Sequence, residues 1–265
     1  MSTPTIPTLP LRVVPPGTAS RLLRSRRSRF LIERNVRVYR SAWAMLISGI
    51  FEPVFYLFSI GVGVSKLVGD VEVSGHLVSY TAFIAPAMLA SSAMNGSMAD
   101  AIFNLFFKLK YLKMYDAVLA TPMTPFDIAV GEIGWALMRG SFYSSVFLAV
   151  MLVMGLVSSW WALLALPAAV LIGFAFAAVG AAATTYMRSW QDFEYVNLFS
   201  LPMFLFSATF YPLSTYPTWL QHVVVFSPLY HGAALLRSLT TGAVGPSALV
   251  HVGVLLGLGV VGVVV

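Results

Sequence analysis

Few side chains in this sequence can do chemistry, and those that can stand far apart. The four histidines, His76, His222, His231 and His251, have no spacing that matches a metal-ligand pattern. Cysteine is absent, which removes disulfides, thiolate nucleophiles and Cys-bound zinc. No Gly-x-x-x-x-Gly-Lys-Ser/Thr loop occurs, so if ATP drives this protein, a partner must bind it. No Ser, His and acid triad can be proposed from chain order. What remains is a small set of charges within apolar runs. Glu52, followed by Pro53, lies near the middle of the first run, where an ionised carboxylate is costly unless paired or hydrated. It fits either a group lining a substrate path or a structural carboxyl at a proline kink. Glu132 and Arg139 are seven residues apart. That spacing puts them on one helical face about 10.5 Å apart along the axis, so they cannot touch in a regular helix. Glu132 suits an interfacial position, whereas the deeper Arg139 needs a partner, water or a snorkelling route.

These charges are held by apolar elements. The chain has 265 residues, 58% of them apolar and 10% charged, with mean hydropathy +0.84. A soluble domain of this length could not bury that much apolar surface, so the composition predicts a polytopic membrane protein. Net charge of +6 would favour nucleic acid in a soluble setting, but nine of the sixteen basic residues precede residue 41, beside the first apolar run. No nucleic-acid partner is expected.

The fold expected is all-α, with six transmembrane helices, an N-terminal amphipathic interfacial helix and short re-entrant outer helices before the last span. Residues 1–18 carry five prolines and read as a disordered leader. Residues 19–41 bring eight arginines interleaved with Leu22, Leu23, Phe30, Leu31, Ile32, Val36 and Val38, the pattern of a helix lying on a membrane surface. Spans follow at about 42–64, 76–98, 128–157, 162–184, 195–210 and 248–265. The arginine helix precedes span one and Lys108, Lys110 and Lys113 follow span two, so the positive-inside rule puts both on the cytoplasmic side, with both termini inside. Between spans five and six, residues 211–245 are rich in proline and aromatics and poor in charge, as expected of broken half-helices dipping into the bilayer from outside. Tyr211, Tyr216, Trp219 and Tyr230 read as interfacial anchors. Met88, Met94, Met98, Met138, Met151, Met154 and Met203 are ordinary helix packing or the lining of an adaptable apolar cavity.

Three stretches carry a resemblance: FEPVFYLFSIGVGVSKLVG at 51–69, YDAVLATPMTPFDIAVGEI at 115–133, and FSATFYPLSTYPTWLQ with SPLYHGAALLRSL at 206–221 and 227–239. On these, the chain from Arg21 onward resembles the membrane subunit of type-2 ABC exporters, in particular the permeases of rhizobial nodulation lipo-oligosaccharide exporters and their drug-exporting relatives. The resemblance implies a multi-pass permease of the bacterial inner membrane that works as a homo- or heterodimer and docks two copies of an ABC ATP-binding subunit. This chain would bind no cofactor itself, ATP and Mg acting through the partner. It also implies a coupling helix within about 105–125, with Lys110, Lys113, Asp116, Leu119, Thr121 and Pro122 as the docking residues. Glu52, Pro53, Glu132 and Arg139 become candidates for the translocation path or for structural roles. Pro212, Trp219, Pro228 and His231 become candidates for an outer gate. The segment 104–114, NLFFKLKYLKM, departs from the arginine-rich form of the nodulation exporters and leaves the cargo open between a drug and a lipid-linked glycan. A rival reading is an ion- or proton-coupled carrier using Glu52, Glu132 and Arg139. A membrane enzyme is disfavoured by the lack of clustered acid, base or metal ligands.

Overall fold

An alanine-rich helix forms the hub of the fold, because small side chains let neighbouring helices approach closely where lipid supplies no hydrophobic drive between them. The computed structural model describes residues 19–41, 51, 54–73 and 76–265. In chain order α1 is Ala19–Ser41 and α2 is Val54–Val68, the latter with a π-helical turn at Leu57–Val62. A hairpin of β1 (Asp70–Val73) and β2 (His76–Ser79) follows, then α3 (Tyr80–Ala99), extended by π-helical turns at Asp100–Asn104 and Phe107–Tyr111. Next come α4 (Met114–Leu119), α5 (Pro125–Val153) and α6 (Ala165–Tyr186), which is led in by a 3-10 turn at Trp160–Leu164. The last four are α7 (Phe193–Leu205), α8 (Thr218–Phe226), α9 (Pro228–Thr241) and α10 (Ser247–Val264).

Helix α6 is the hub, packed by α10, α3, α5 and α9. Its buried face reads Ala168, Ala169, Ile172, Gly173, Ala175, Phe176, Ala177 and Ala178, and it meets Phe83, Met88, Leu89, Phe147, Leu229 and Leu236 in one core. Helix α10 buries only Leu255, Gly259 and Gly262. A Cβ at Gly262 would lie 2.6 Å from both the carbonyl carbon of Ala178 and the nitrogen of Val179. Backbone cannot retreat as a side chain can, so Gly262→Val is expected to cost about 1–3 kcal/mol by overpacking. It should lower the melting temperature of the purified protein, and an unchanged melting temperature would contradict close α6–α10 packing.

Several expectations need correction. The fold is mostly helical, as expected, but includes one unexpected hairpin: Asp70–Val73 pairs antiparallel with His76–Ser79, with Val71 opposite Val78 and Glu72 opposite Leu77. The cause is local, since alternating polar and β-branched residues favour a strand over a helical start. The second apolar helix therefore begins at Tyr80 rather than 76, where Ser79 caps it by accepting from the Ala82 amide at 3.3 Å. The interior charged stretch is largely helical, because α3 runs on in π turns as far as Tyr111. The fifth apolar helix stops at Leu205, short of 210, and the chain passes through Ala208 at φ 53°. Its 13 residues are too few to cross a hydrocarbon core of about 30 Å.

Among the described residues, three helices are long and apolar enough to cross a membrane: Pro125–Val153, Trp160–Tyr186 and Ser247–Val264. Helix α3 has 20 residues but carries Ser91, Ser92, Asn95 and Ser97, which dilute its apolar character. Helix α1 does not spend its apolar face on a membrane surface alone. Ser28, Leu31 and Asn35 are buried, with Leu31 against α5. Gly131 permits this approach, since a Cβ there would lie 2.9 Å from Leu31 Cδ1 and 3.0 Å from the Ser28 carbonyl oxygen. The leader at 1–18 and the first part of the first expected span, at 42–50 with Glu52 and Pro53, lie outside the described residues.

Candidate functional site

Three helices, α1, the extended α3 and α5, all contribute to each of two polar tiers. In the lower tier, Lys108 Nζ donates to Glu132 Oε2 at 2.6 Å and to Asn35 Oδ1 at 3.1 Å. Asn35 Nδ2 donates to the same Glu132 oxygen at 3.2 Å, and the Tyr115 hydroxyl donates to Glu132 Oε1 at 3.0 Å. The pair is desolvated, with Lys108 and Glu132 side chains only 6% and 5% exposed. Removing two charges from water is costly, and the surrounding hydrogen bonds offset it by satisfying the remaining donors and acceptors. Burial holds the Lys108 ammonium below the ordinary lysine value, with Glu132 acting in the opposite direction. The Tyr115 phenol is pushed well above its usual range by burial and then by the Glu132 charge, so it stays a donor.

The upper tier lies two turns further along α5. Arg139 Nη1 donates to Asp100 Oδ1 at 2.7 Å and to the Tyr39 hydroxyl at 3.0 Å, while Arg139 Nε donates to the Tyr143 hydroxyl at 2.8 Å. Tyr39 donates to Asp100 Oδ1 at 3.3 Å. The guanidinium also lies 5.1 Å from the Tyr39 ring and 5.5 Å from the Tyr143 ring, within cation–π range. Glu132 and Arg139 thus do not touch, as their spacing requires, and each has its own partner of opposite charge on the α3 extension.

The lower tier reaches α4 through Tyr115, the one buried residue of that helix. Met114 and Val118 are half-buried beside it, whereas Lys110, Lys113, Asp116, Leu119, Thr121 and Pro122, on α4 and the chain either side of it, are all exposed, with Leu119 at 44%. Lys113 enters α4 in the left-handed region at φ 45°. Past α4, Thr124 and Asp127 form a reciprocal cap on α5: the Asp127 amide donates to Thr124 Oγ1, and the Thr124 amide donates to Asp127 Oδ2. Of the predicted docking residues, Asp116 and Leu119 lie on α4 and the other four on the chain either side of it, while Tyr115, Met114 and Val118 pack that helix against Leu31 and Ile128.

Arg139 and Tyr143 also line a cavity of about 540 Å³ between α2, α3, α5 and α7. Its wall mixes Ser91, Ser92, Asn95, Asn197 and Ser200 with Met88, Leu201 and Phe204. Of the seven methionines considered above, Met88 lines this cavity, while Met98 and Met203 line a second, more apolar groove of about 830 Å³ beside α6, α7 and α10. At one end of that groove, backbone N–H groups of Arg188 and Ser189 hold the Asp192 carboxyl below its ordinary value.

The residues predicted for an outer gate are not gathered into one cluster. Trp219 is 69% exposed on α8, Pro212 precedes a 3-10 turn, and Pro228 opens α9. His231 is buried, and its Nδ1 shares a hydrogen bond with His251 Nδ1 at 2.8 Å, joining α9 to α10. Sequence reasoning missed Asn35, Tyr39, Asp100 and Tyr115, and also Arg237, which donates to the carbonyls of Phe83 and Ala208 at 3.2 and 2.9 Å. A signal existed for Asp100 alone: an acid in a long apolar helical run needs a cation, and Arg139 was the one without a partner. The Thr124–Asp127 cap was also readable, as a Thr three residues before an Asp with Pro in the first helical position.

Known proteins resemble this chain over most of its length. The sequence profile described as ABC-2 type transporter matches residues 27–240. Nodulation protein J of Rhizobium leguminosarum bv. viciae is 34% identical over 218 residues, covering 82% of this chain and 82% of the relative. Nodulation protein J of Rhizobium meliloti (strain 1021) is 34% identical over 218 residues, covering 82% and 80%. Nodulation protein J of Bradyrhizobium diazoefficiens is 29% identical over 224 residues, covering 84% of each.

Proposed function

The chain belongs to the ABC-2 type transporter family, and from that premise we propose that it is the membrane-spanning permease subunit of an ATP-driven exporter, moving an amphiphilic substrate such as a drug or lipid-linked glycan out of the cell. In this reading six segments cross the bacterial inner membrane with both termini in the cytoplasm, the fifth made of the short α7 together with the non-helical chain that continues it through Phe210. Helix α1 is the interfacial elbow, α4 the coupling helix, and α8 with α9 the re-entrant outer pair. Two copies of an ABC ATP-binding subunit bind ATP and Mg and dock on Lys110, Lys113, Asp116, Leu119, Thr121 and Pro122.

One observation carries the proposal. The short helix α4 and the chain flanking it expose all six predicted docking residues, while Tyr115 ties α4 to a buried network shared by α1, α3 and α5. A push on such a helix moves three helices together, because packed interfaces switch between discrete arrangements and do not deform continuously. Helix α7 supports a second permease subunit: Phe193 is its one buried residue, while Tyr195, Leu198, Phe199, Leu201 and Leu205 are exposed. Asn95 and Asn197 are also exposed on apolar helices. Amides at such positions are expensive against lipid and suit a hydrated path.

The rival carrier reading draws on Arg139, which lines the cavity. The two are separated by energy source. In whole cells, export is expected to persist after an ionophore collapses ion gradients and to stop on ATP depletion. A tagged chain should also co-purify with an ATPase subunit. Export that stops with the gradients while ATP remains high would overturn the ABC reading in favour of the carrier.

A further inference from the structure

The polar wall of the 540 Å³ cavity bears on what it takes. Among the described lining residues, Arg139 is the single formal charge, and Asp100 already compensates it at 2.7 Å. The other polar groups, Ser91, Ser92, Asn95, Asn197 and Ser200, are neutral hydroxyls and amides. Across the cavity Met88, Leu201 and Phe204 supply apolar surface. Arg139 is held with its Nε on Tyr143 and its Nη1 on Asp100 and Tyr39, and its side chain is 19% exposed. No described residue accepts a hydrogen bond from its Nη2, which leaves two N–H donors of a rigid planar fork for the cavity.

We propose that Arg139 is the headgroup-recognising residue of this cavity, donating from Nη2 to an oxygen of an amphiphile whose headgroup is uncharged and rich in hydroxyl or amide groups. An anionic headgroup would compete with Asp100 for the guanidinium and leave that buried carboxylate unpaired, and a cationic one would meet the guanidinium as a like charge. Asp100, Tyr39 and Tyr143 are positioning residues: they fix the plane of the fork and leave one edge open. The assignment rests on the permease reading for the role of the cavity, but the binding chemistry can be measured without the ATPase.

Because the chain has no cysteine, Ala99→Cys at the cavity wall gives a single site for an environment-sensitive bimane label. The labelled permease in lipid nanodiscs is titrated with dodecyl maltoside, dodecyl phosphate and dodecyltrimethylammonium, each below its critical micelle concentration. Saturable binding is expected for the maltoside, with the two charged amphiphiles at least several-fold weaker. The paired variant Arg139→Gln/Asp100→Asn, which leaves no orphaned charge, should weaken maltoside binding by about tenfold, the worth of one charge-assisted hydrogen bond. Arg139→Lys keeps the charge next to Asp100 but lacks Nη2 and should weaken it similarly, which covers the case where the paired variant does not fold. Wild-type maltoside affinity in either folded variant overturns the role of Arg139. Tighter binding of either charged amphiphile overturns the headgroup class. Failure of the permease reading would appear elsewhere, as loss of ATPase co-purification or as gradient-driven export.

Discussion

Glu132→Ala is expected to cost roughly 3–5 kcal/mol, the usual effect of removing one partner of a buried ion pair. The Lys108 ammonium would stay buried at 6% exposure without its carboxylate, and Asn35 and Tyr115 would lose the acceptor they share. For a protein only marginally stable this is a large fraction of the total, so folded permease should fall sharply in size-exclusion profiles of solubilised membranes. The informative comparison is Lys108→Met with Glu132→Leu. Removing both charges and keeping apolar volume is often neutral or stabilising, so folded protein should return. ATP-driven export should not return with it, because Tyr115 still has no acceptor and α4 keeps only its packing contacts to the helices behind it. A double variant that restores both abundance and export would show that the lower tier serves stability alone. A wild-type melting temperature for Glu132→Ala would show that the tier does not form.

Asp116→Lys is expected to abolish ATP-driven export while leaving insertion and abundance unchanged. The side chain is exposed in the first turn of α4, so the cost to the fold is confined to the helix dipole, about 0.3–1 kcal/mol. On the docking surface the same change reverses a charge next to Lys110 and Lys113, and a tenfold loss of partner affinity needs only about 1.4 kcal/mol. Leu119→Pro should act alike by a different route. Helix α4 has six residues, and a proline in its last turn removes a backbone donor and clashes with the preceding turn. Export at the wild-type level by either variant, at wild-type abundance, would remove α4 as the coupling element.

Much of this protein is legible in its sequence. Twenty-odd apolar residues in a row can be satisfied in lipid only by a helix, so Trp160–Tyr186 and Ser247–Val264 follow from hydropathy with boundaries shifted by few residues. The seven-residue spacing of Glu132 and Arg139 excluded contact between them, and of the three lysines in the charged segment Lys110 and Lys113 are exposed while Lys108 is buried against Glu132. The hairpin at 70–79 escaped because four-residue strands carry too little periodicity to compete with a neighbouring apolar run. The end of α7 at Leu205 escaped for a related reason: composition stays apolar through Phe210, and only the turn through Ala208 shows where the helix stops.

The sequence by itself determined the class of the protein and marked residues too costly to bury without partners, because each depends on the local solvation free energy of a few side chains. The tertiary structure decided which partners those residues take. Asp100 meets Arg139 across 39 positions, Lys108 meets Glu132 across 24, and Asn35 joins them from 97 positions away. No local rule links such residues. They come together because Gly131 lets α1 lie against α5 and because the α3 extension runs alongside both, so that all three helices present polar residues at two successive levels.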